Sequence, residues 1–239
     1  MKNVLITICA RGGSKGIPKK NIRKLNGKPL IAYTIAMSQK IAKKYNANIA
    51  LSTDSEEIKE VAKKYGLTTR YDRPEEFATD KVGKINAIQH VMDYSEKINK
   101  TNYDYIIDLD VTSPMRTIED IAAALEMIES NSKAVNIFSV SPAARNPYFN
   151  MVEETSSGFV QLVKGSPHVK SRQEAPKVYD MNASFYIFRK AFFNGGYEVS
   201  TTDRSLAYEM PHVCFDLDEP HDFIIMELML RENLIDLKF

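Results

Sequence analysis

The sequence predicts an α/β fold, a mostly parallel, Rossmann-like sheet flanked by helices, on three observations. Short apolar runs alternate with stretches of helical periodicity, the first run feeds a glycine-rich turn, and several runs end in acidic or polar residues. Val4-Leu5-Ile6-Thr7-Ile8 is the first run and reads as a strand buried on both faces. Ligands of open α/β sheets sit at the carboxyl ends of such strands, so the residues closing the runs are the ones to follow.

The turn after the first strand is Cys9-Ala10-Arg11-Gly12-Gly13-Ser14-Lys15-Gly16-Ile17-Pro18-Lys19-Lys20-Asn21. Glycines let backbone N–H groups approach a ligand closely, and Arg11, Lys15, Lys19 and Lys20 supply the charge that suits a polyphosphate. The spacing of a Walker A loop and the G-x-G-x-x-G dinucleotide fingerprint are both absent. On composition alone a basic surface loop is the competing reading. The string from Ala10 to Asn21 resembles the signature of the acylneuraminate cytidylyltransferases, the CMP-sialic acid synthetase family. The resemblance implies an enzyme that uses CTP, with Arg11 and Lys20 as catalytic residues and with Ala10, Arg11, Gly13, Ser14 and Asn21 around the nucleotide.

Next, Leu30, Tyr33, Met37 and Ile41 form one apolar helix face, with Lys40, Lys43 and Lys44 toward its carboxyl end, where cations oppose the helix dipole. Asn48 to Thr53 reads as a second strand, and Asp54 and Ser55 as caps for a helix from Glu56 to Tyr65. Leu67 to Tyr71 reads as a short further strand. After it comes Asp72-Arg73-Pro74-Glu75-Glu76-Phe77-Ala78-Thr79-Asp80, ahead of a helix through Tyr94 that Thr79 and Asp80 are placed to cap. This segment is similar to the family's Arg-Pro-x-x-Leu/Phe-Ala-x-Asp. The resemblance implies that Arg73 helps hold the nucleotide and that groups around Asp80, Val82 and Lys84 read the cytosine edge.

Asp104 to Asp110 reads as a central strand ending in two carboxylates. Acids at a strand mouth are costly to bury unpaired, so a metal, a substrate or a basic partner should face them. Asp108-Leu109-Asp110 also has the form of a metal motif in glycosyltransferases that use nucleotide sugars. The following Thr112-Ser113-Pro114-Met115-Arg116 is similar instead to the family's Gln-Pro-Thr-Ser-Pro-Leu-Arg, with Asp110 in place of the glutamine. The resemblance puts Asp110, Thr112 and Ser113 at the sugar. An aspartate there points to an acceptor that presents more donors. A helix from Thr117 or Glu119 to Ser130 and a strand from Ala134 to Val140 follow.

From residue 141 to 177 the periodic rhythm stops, and a loop of that length inside a compact domain is functional or an interaction arm. The expected division is therefore a nucleotidyltransferase core, 1–140 and 178–239, with an inserted excursion. The resemblance makes the excursion a dimerisation arm that completes the partner's sugar site, with Arg172 and Gln173 of the Ser-Arg-Gln segment at the sugar. Phe149 stands where many relatives have a lysine beside His-Pro, and together with Asp110 it favours the branch acting on legionaminic acid. Asn182, opening a strand to Phe188, lies in the family's sugar-side Asn-Gly/Ala-x-x-Tyr segment. Val213 to Phe223 carries Asp216 and Asp218 on one side of an extended segment. Capping the terminal helix explains Asp218 and leaves Asp216 over; the family's acidic pairs bind Mg2+ (or Mn2+).

The chain of 239 residues has 32 basic and 31 acidic residues, a net charge of +1, which argues against binding a nucleic acid polymer. No apolar span suits a membrane and the amino terminus lacks a signal-peptide pattern, so a cytoplasmic protein is expected. Cys9 and Cys214 sit in apolar surroundings as free thiols, and the four histidines lack zinc spacing. The expected reaction joins CTP to a nine-carbon nonulosonic acid, giving a CMP-sugar and pyrophosphate, in a homodimer. N-acetylneuraminate as substrate, a glycosyltransferase and a non-catalytic nucleotide-binding module are the alternatives.

Overall fold

The computed structural model describes residues 2–13, 16–79, 83–165, 169, 171 and 173–237. In chain order the elements are β1 Val4–Cys9, a 3-10 turn Lys20–Ile22, β2 Lys24–Leu25, β3 Lys28–Pro29, α1 Leu30–Tyr45, β4 Asn48–Ser52 and α2 Glu56–Lys64. A 3-10 turn Glu75–Ala78, α3 Lys84–Asn99, β5 Tyr105–Leu109, α4 Ile118–Ser130 and β6 Asn136–Pro142 come next. Last are β7 Val152–Glu154, β8 Val160–Leu162, β9 Tyr179–Arg189, α5 Lys190–Asn194, β10 Ser205–Glu209 and α6 Pro220–Arg231.

The main sheet has six strands in the order β10-β6-β9-β5-β1-β4. All of its pairings are parallel except those of β9, which runs against both β5 and β6. Two apolar layers cover it. Leu30, Ile35 and Ile41 of α1, Ile121 and Ile128 of α4, and Phe223 and Met226 of α6 share one cluster with Ile6 and Ile8. Ile88 and Met92 of α3 and Phe192 of α5 share the other with Leu5, Ile106 and Phe188. Burying strands from both sides explains their unbroken apolar character.

From β1 the chain crosses by α1 to β4 on one side, then returns by α3 to β5 on the other. The carboxyl ends of β1 and β5 therefore flank the point where the winding reverses, and that crevice is where such sheets hold ligands.

Several local expectations are corrected. Leu67 to Tyr71 forms no strand; the Thr69 hydroxyl, not a backbone ladder, bonds the Leu51 carbonyl at 3.0 Å. Ser55 caps α2 through the Ile58 amide at 3.4 Å, while Asp54 turns away to accept from Gly12. Gly83 precedes α3, so Thr79 does not cap it, and that helix runs on to Asn99. Asp80 lies outside the described residues. Thr117 caps α4 in a reciprocal box with Asp120. Strand β10 has no counterpart in the sequence reading, and β9 begins earlier than Asn182. Within the excursion β7 and β8 pair as an antiparallel hairpin.

Candidate active site

The glycine turn is pinned from its flanks. Ala10 donates its N–H to the Ser52 carbonyl at 2.9 Å, Gly12 to Asp54 Oδ1 at 2.8 Å, and Asn21 Nδ2 to the Arg11 carbonyl at 2.9 Å. Lys19 adopts a left-handed φ of 55°, which turns the chain into the 3-10 turn and brings Lys20 inward. The Lys20 ammonium lies 2.9 Å from Asp218 Oδ1. A Cβ on Gly16 would stand 3.0 Å from the Asp218 carbonyl oxygen, so this position needs glycine for close approach rather than for its dihedrals. The turn near the amino terminus and the acidic segment near the carboxyl terminus are thus in direct contact.

Between them opens a cleft of about 440 Å³ at the carboxyl ends of β1 and β5. Arg11, Gly16, Lys20, Asn21, Arg73, Lys84, Asp110, Thr112 and Asp218 all line it. Buried Arg73 is fixed on the end of β4, its Nε on Ser52 Oγ and its Nη2 on the Ser52 carbonyl, both at 2.9 Å. Among the described residues Cys9, Phe77, Thr79, Gly83 and Ala87 also line the cleft and were not anticipated as lining. Phe77 was legible in part, as the aromatic of the Arg-Pro-x-x-Phe segment; it packs on His90 with ring centroids 4.7 Å apart. Burial, with help from Asp108, pushes the Cys9 thiol up to about 12, so it is no nucleophile.

Two acidic pairs meet here in different states. Asp108 is fully buried; its Oδ1 accepts from Thr7 Oγ1 at 2.7 Å. Lys84, from the first residue of α3, reaches both acids, with its Nζ 2.7 Å from Asp108 Oδ2 and 2.7 Å from Asp110 Oδ2. Burial favours the neutral amine, but the two carboxylates win and raise the Lys84 pKa well above its ordinary value. Burial likewise pushes Asp110 up, and is outweighed by Lys84 and by Thr112, whose N–H and hydroxyl donate at 2.9 and 2.8 Å; the outcome is about 2. A basic partner therefore faces the Asp-x-Asp of β5. With both acids on one ammonium and Asp108 sealed from solvent, this pair is the poorer donor set for a metal.

Asp216 and Asp218 are open by comparison. Burial and then the neighbouring Asp218 push Asp216 up to about 6, while the bond from Lys20 lowers Asp218. The segment carrying them hangs on the loop after β5: Leu217 donates to the Thr112 carbonyl at 2.9 Å and the Ser113 hydroxyl to the Phe215 carbonyl at 3.2 Å. Two crowded carboxylates that resist ionising together are a donor set that fits a divalent ion, since Mg2+ commonly takes one or two carboxylates and completes its shell with phosphate and water. Among the described residues no group of three or more ligating side chains occurs, so protein alone does not complete a site.

Other expected residues sit elsewhere. Ala10 and Ser113 are buried behind the cleft wall. Asn182 is buried in a bulge of β9, accepting from Ser139 Oγ at 2.6 Å and donating to Ser141 Oγ at 3.0 Å. Gly13 is exposed with open space around it, and Gln173 is exposed on the excursion, away from the cleft lining. Ser14, Asp80, Val82 and Arg172 lie outside the described residues. Arg116, absent from the expected site, is buried beneath it and donates to the Asp110 carbonyl and Thr34 Oγ1, both at 2.7 Å.

Fold and site together define a class: an α/β protein presenting a basic glycine turn and carboxylates to one cleft at the switch point of its sheet. The chain belongs to the cytidylyltransferase family, whose pattern matches residues 5–210. It is 39% identical, across 100% of this chain and 99% of the other, to the post-translational flagellin modification protein B of Campylobacter coli. It is 40% identical, over 96% of each chain, to a CMP-N,N'-diacetyllegionaminic acid synthase of Campylobacter jejuni. Among solved structures, a CMP:2-keto-3-deoxy-manno-octonic acid synthetase complexed with CTP superposes with a TM-score of 0.68, over 97% of this chain and 100% of the other. At 13% identity that likeness is one of fold.

Proposed function

We propose that the chain is a cytidylyltransferase that activates a nine-carbon nonulosonic acid, legionaminic acid or a close analogue, with CTP. The observation that carries the reading is the contact of the glycine turn with the acidic segment, through Lys20 and Gly16 on Asp218, at the mouth of one cleft. The hydroxyl on C2 of the sugar acid attacks the α-phosphorus; its oxygen forms the new P–O bond, the bond to the β-phosphate breaks, the proton is lost to the surroundings, and pyrophosphate leaves. Arg11 and Lys20, which line the cleft, would stabilise the charge growing on that leaving group. Arg73, immobilised on Ser52, fixes one end of the nucleotide. Asp216 and Asp218 would hold a magnesium ion, which supplies charge neutralisation of the phosphates.

Support for the nonulosonic acid comes from the named relative that makes CMP-N,N'-diacetyllegionaminic acid, at 40% identity over nearly the whole of both chains. The excursion exposes Phe149, Met151, Val152, Phe159 and Val160, an apolar surface that a second copy would cover in a homodimer. We place the reaction in the cytoplasm, where CTP is made. No helix among the described residues is long and apolar enough to cross a membrane.

The test is pyrophosphate release from CTP and magnesium with a panel of nonulosonic acids. Release that needs both CTP and a sugar acid, fastest with the legionaminate, is expected. Equal rates with N-acetylneuraminate would remove the branch preference alone. Absence of pyrophosphate with every acid, despite CTP binding, would leave a nucleotide-binding module. Phe159→Lys with Val160→Lys should yield monomers in sedimentation, and an unchanged dimer would exclude the excursion as the interface.

A further inference from the structure

The segment that carries Asp216 and Asp218 reaches the cleft from the end of β10 and is tied down on the way. Met210 donates its N–H to the Val140 carbonyl at 2.9 Å, the Cys214 carbonyl accepts from Ser141 Oγ at 3.0 Å, and Leu217 is sealed from solvent. Between the first two ties lies His212, beside an exposed Val213.

The His212 ring spans two oxygens. Its Nε2 lies 2.9 Å from Asp120 Oδ2 and its Nδ1 3.1 Å from the Val213 carbonyl oxygen. Asp120 is 1% exposed at the amino end of α4, and its carboxylate already accepts from the Thr117 N–H and hydroxyl, both at 2.7 Å, and from the Tyr208 hydroxyl at 3.1 Å. A carboxylate and a carbonyl only accept, so both ring contacts are hydrogen bonds only in the imidazolium, where both nitrogens carry protons. A neutral ring would turn one lone pair onto an oxygen. The cap of α4 is complete without the histidine, because the Thr117 and Asp120 box is local to that helix. This further donor therefore serves the segment rather than the helix.

Burial pulls the His212 pKa down, and the bonds to Asp120 and to the Val213 carbonyl reverse this and raise it above the ordinary 6.5. Tyr208 of β10, pushed up to about 12 by burial and Asp120, keeps its proton, and so does the buried Cys214 thiol two residues on. Glu119 stands beside Asp120 in the first turn of α4, and Glu209, which ends β10, is taken by Lys177 at 2.6 Å.

We propose that His212 is a positioning residue for the reaction: an imidazolium clamped between Asp120 and the Val213 carbonyl, it latches the acidic segment to α4 and so presets Asp216 and Asp218 for magnesium. The stabilisation given by a raised histidine is complete below the ordinary 6.5 and is lost as the pH climbs through the folded-state midpoint, so the latch slackens there. The inference rests on the proposed reaction and adds a control of its metal requirement by pH. Linkage makes the effect reciprocal: if the proton on His212 tightens magnesium, magnesium with the nucleotide raises the His212 midpoint by the logarithm of the same factor.

The test begins with the ring itself. His212→Gln removes one imidazole signal from the proton NMR spectrum and so assigns it, while the glutamine amide still donates to Asp120 without a charge. In the parent that signal should titrate above 6.5, and higher again with magnesium and a non-hydrolysable CTP analogue bound. Asp120→Asn, which keeps an oxygen for the Thr117 N–H, should bring it down. In pyrophosphate release below the midpoint, His212→Gln should need about fivefold more magnesium than the parent, the low end of typical coupling between sites, with kcat at saturating metal within about twofold. That gap should close as the pH rises past the midpoint, whereas a merely structural loss would persist at every pH. A midpoint at or below 6.5, a midpoint unmoved by Asp120→Asn, or a magnesium gap that is absent or does not change with pH would each overturn the latch and leave the proposed reaction standing. A parent that binds no nucleotide and releases no pyrophosphate with any acid would overturn both.

Discussion

The molecule carries the pattern Asp-x-Asp twice at the same cleft, and the two copies behave in opposite ways. Asp108 and Asp110 close a strand covered on both faces, and their charge is answered from within by Lys84. Asp216 and Asp218 lie on a segment outside the sheet, where Lys20 meets Asp218 and Asp216 is pushed up to about 6. A pair supplied with a protein cation is part of the wall. The other pair shares one cation, Lys20 on Asp218, and is the one proposed to take a divalent ion.

The sharpest way to break this contrast is to remove the internal cation. Lys84→Met leaves the buried Asp108 unanswered, and a broken buried pair costs about 3–5 kcal/mol. Urea unfolding should show a loss of that order; a loss below about 1 kcal/mol would mean that the wall does not depend on Lys84. Lys20→Ala tests the other pair. Its partner Asp218 is 64% exposed in its side chain, so stability should scarcely change. Turnover should fall about 10²–10³-fold, the typical effect of removing one donor to developing charge. Near-normal pyrophosphate release would take Lys20 out of the chemistry.

Acid separates the pairs next. Asp110 is depressed from 3.8 to about 2, so its ionised form adds stability that is complete above about 4 and disappears as the pH falls through about 2. That contribution is about 2 kcal/mol, and the stability gap between the parent and Asp110→Asn should close across this window. Asp216 is raised instead, so its ionisation costs the metal-free protein stability as the pH climbs from about 4 to about 6. Asp216→Asn should therefore leave the metal-free protein no less stable at neutral pH than the parent. The smallest expected effect is its magnesium requirement, which should rise about tenfold, the loss of roughly one charged ligand contact. An unchanged magnesium titration would remove Asp216 from the site.

Much of this was legible in the chain. Val4 to Cys9 and Tyr105 to Leu109 announce themselves because strands buried on both faces tolerate little but apolar residues. Thr117 with Asp120 marks a helix start by local chemistry alone. Strand β10 escaped because it lies at the sheet edge, only half-buried, and its side chains show no strong period. The reversed direction of β9 leaves no mark in its residues, since an interior strand reads alike in either sense. Leu67 to Tyr71 has the composition of a strand and lies beside β4, yet it bonds through the Thr69 side chain instead of joining a ladder.

The sequence by itself determined the alternation of strands and helices, the glycine turn and the presence of two acidic pairs, because these follow from side-chain period and from contacts a few residues long. Tertiary structure alone decided which acids are free. Lys84 reaches Asp108 and Asp110 from another element, and Gly16 and Lys20 meet Asp218 from the far end of the chain. A carboxylate's charge state is set by its distance to the nearest cation and by its access to water, and neither quantity is written in the order of residues.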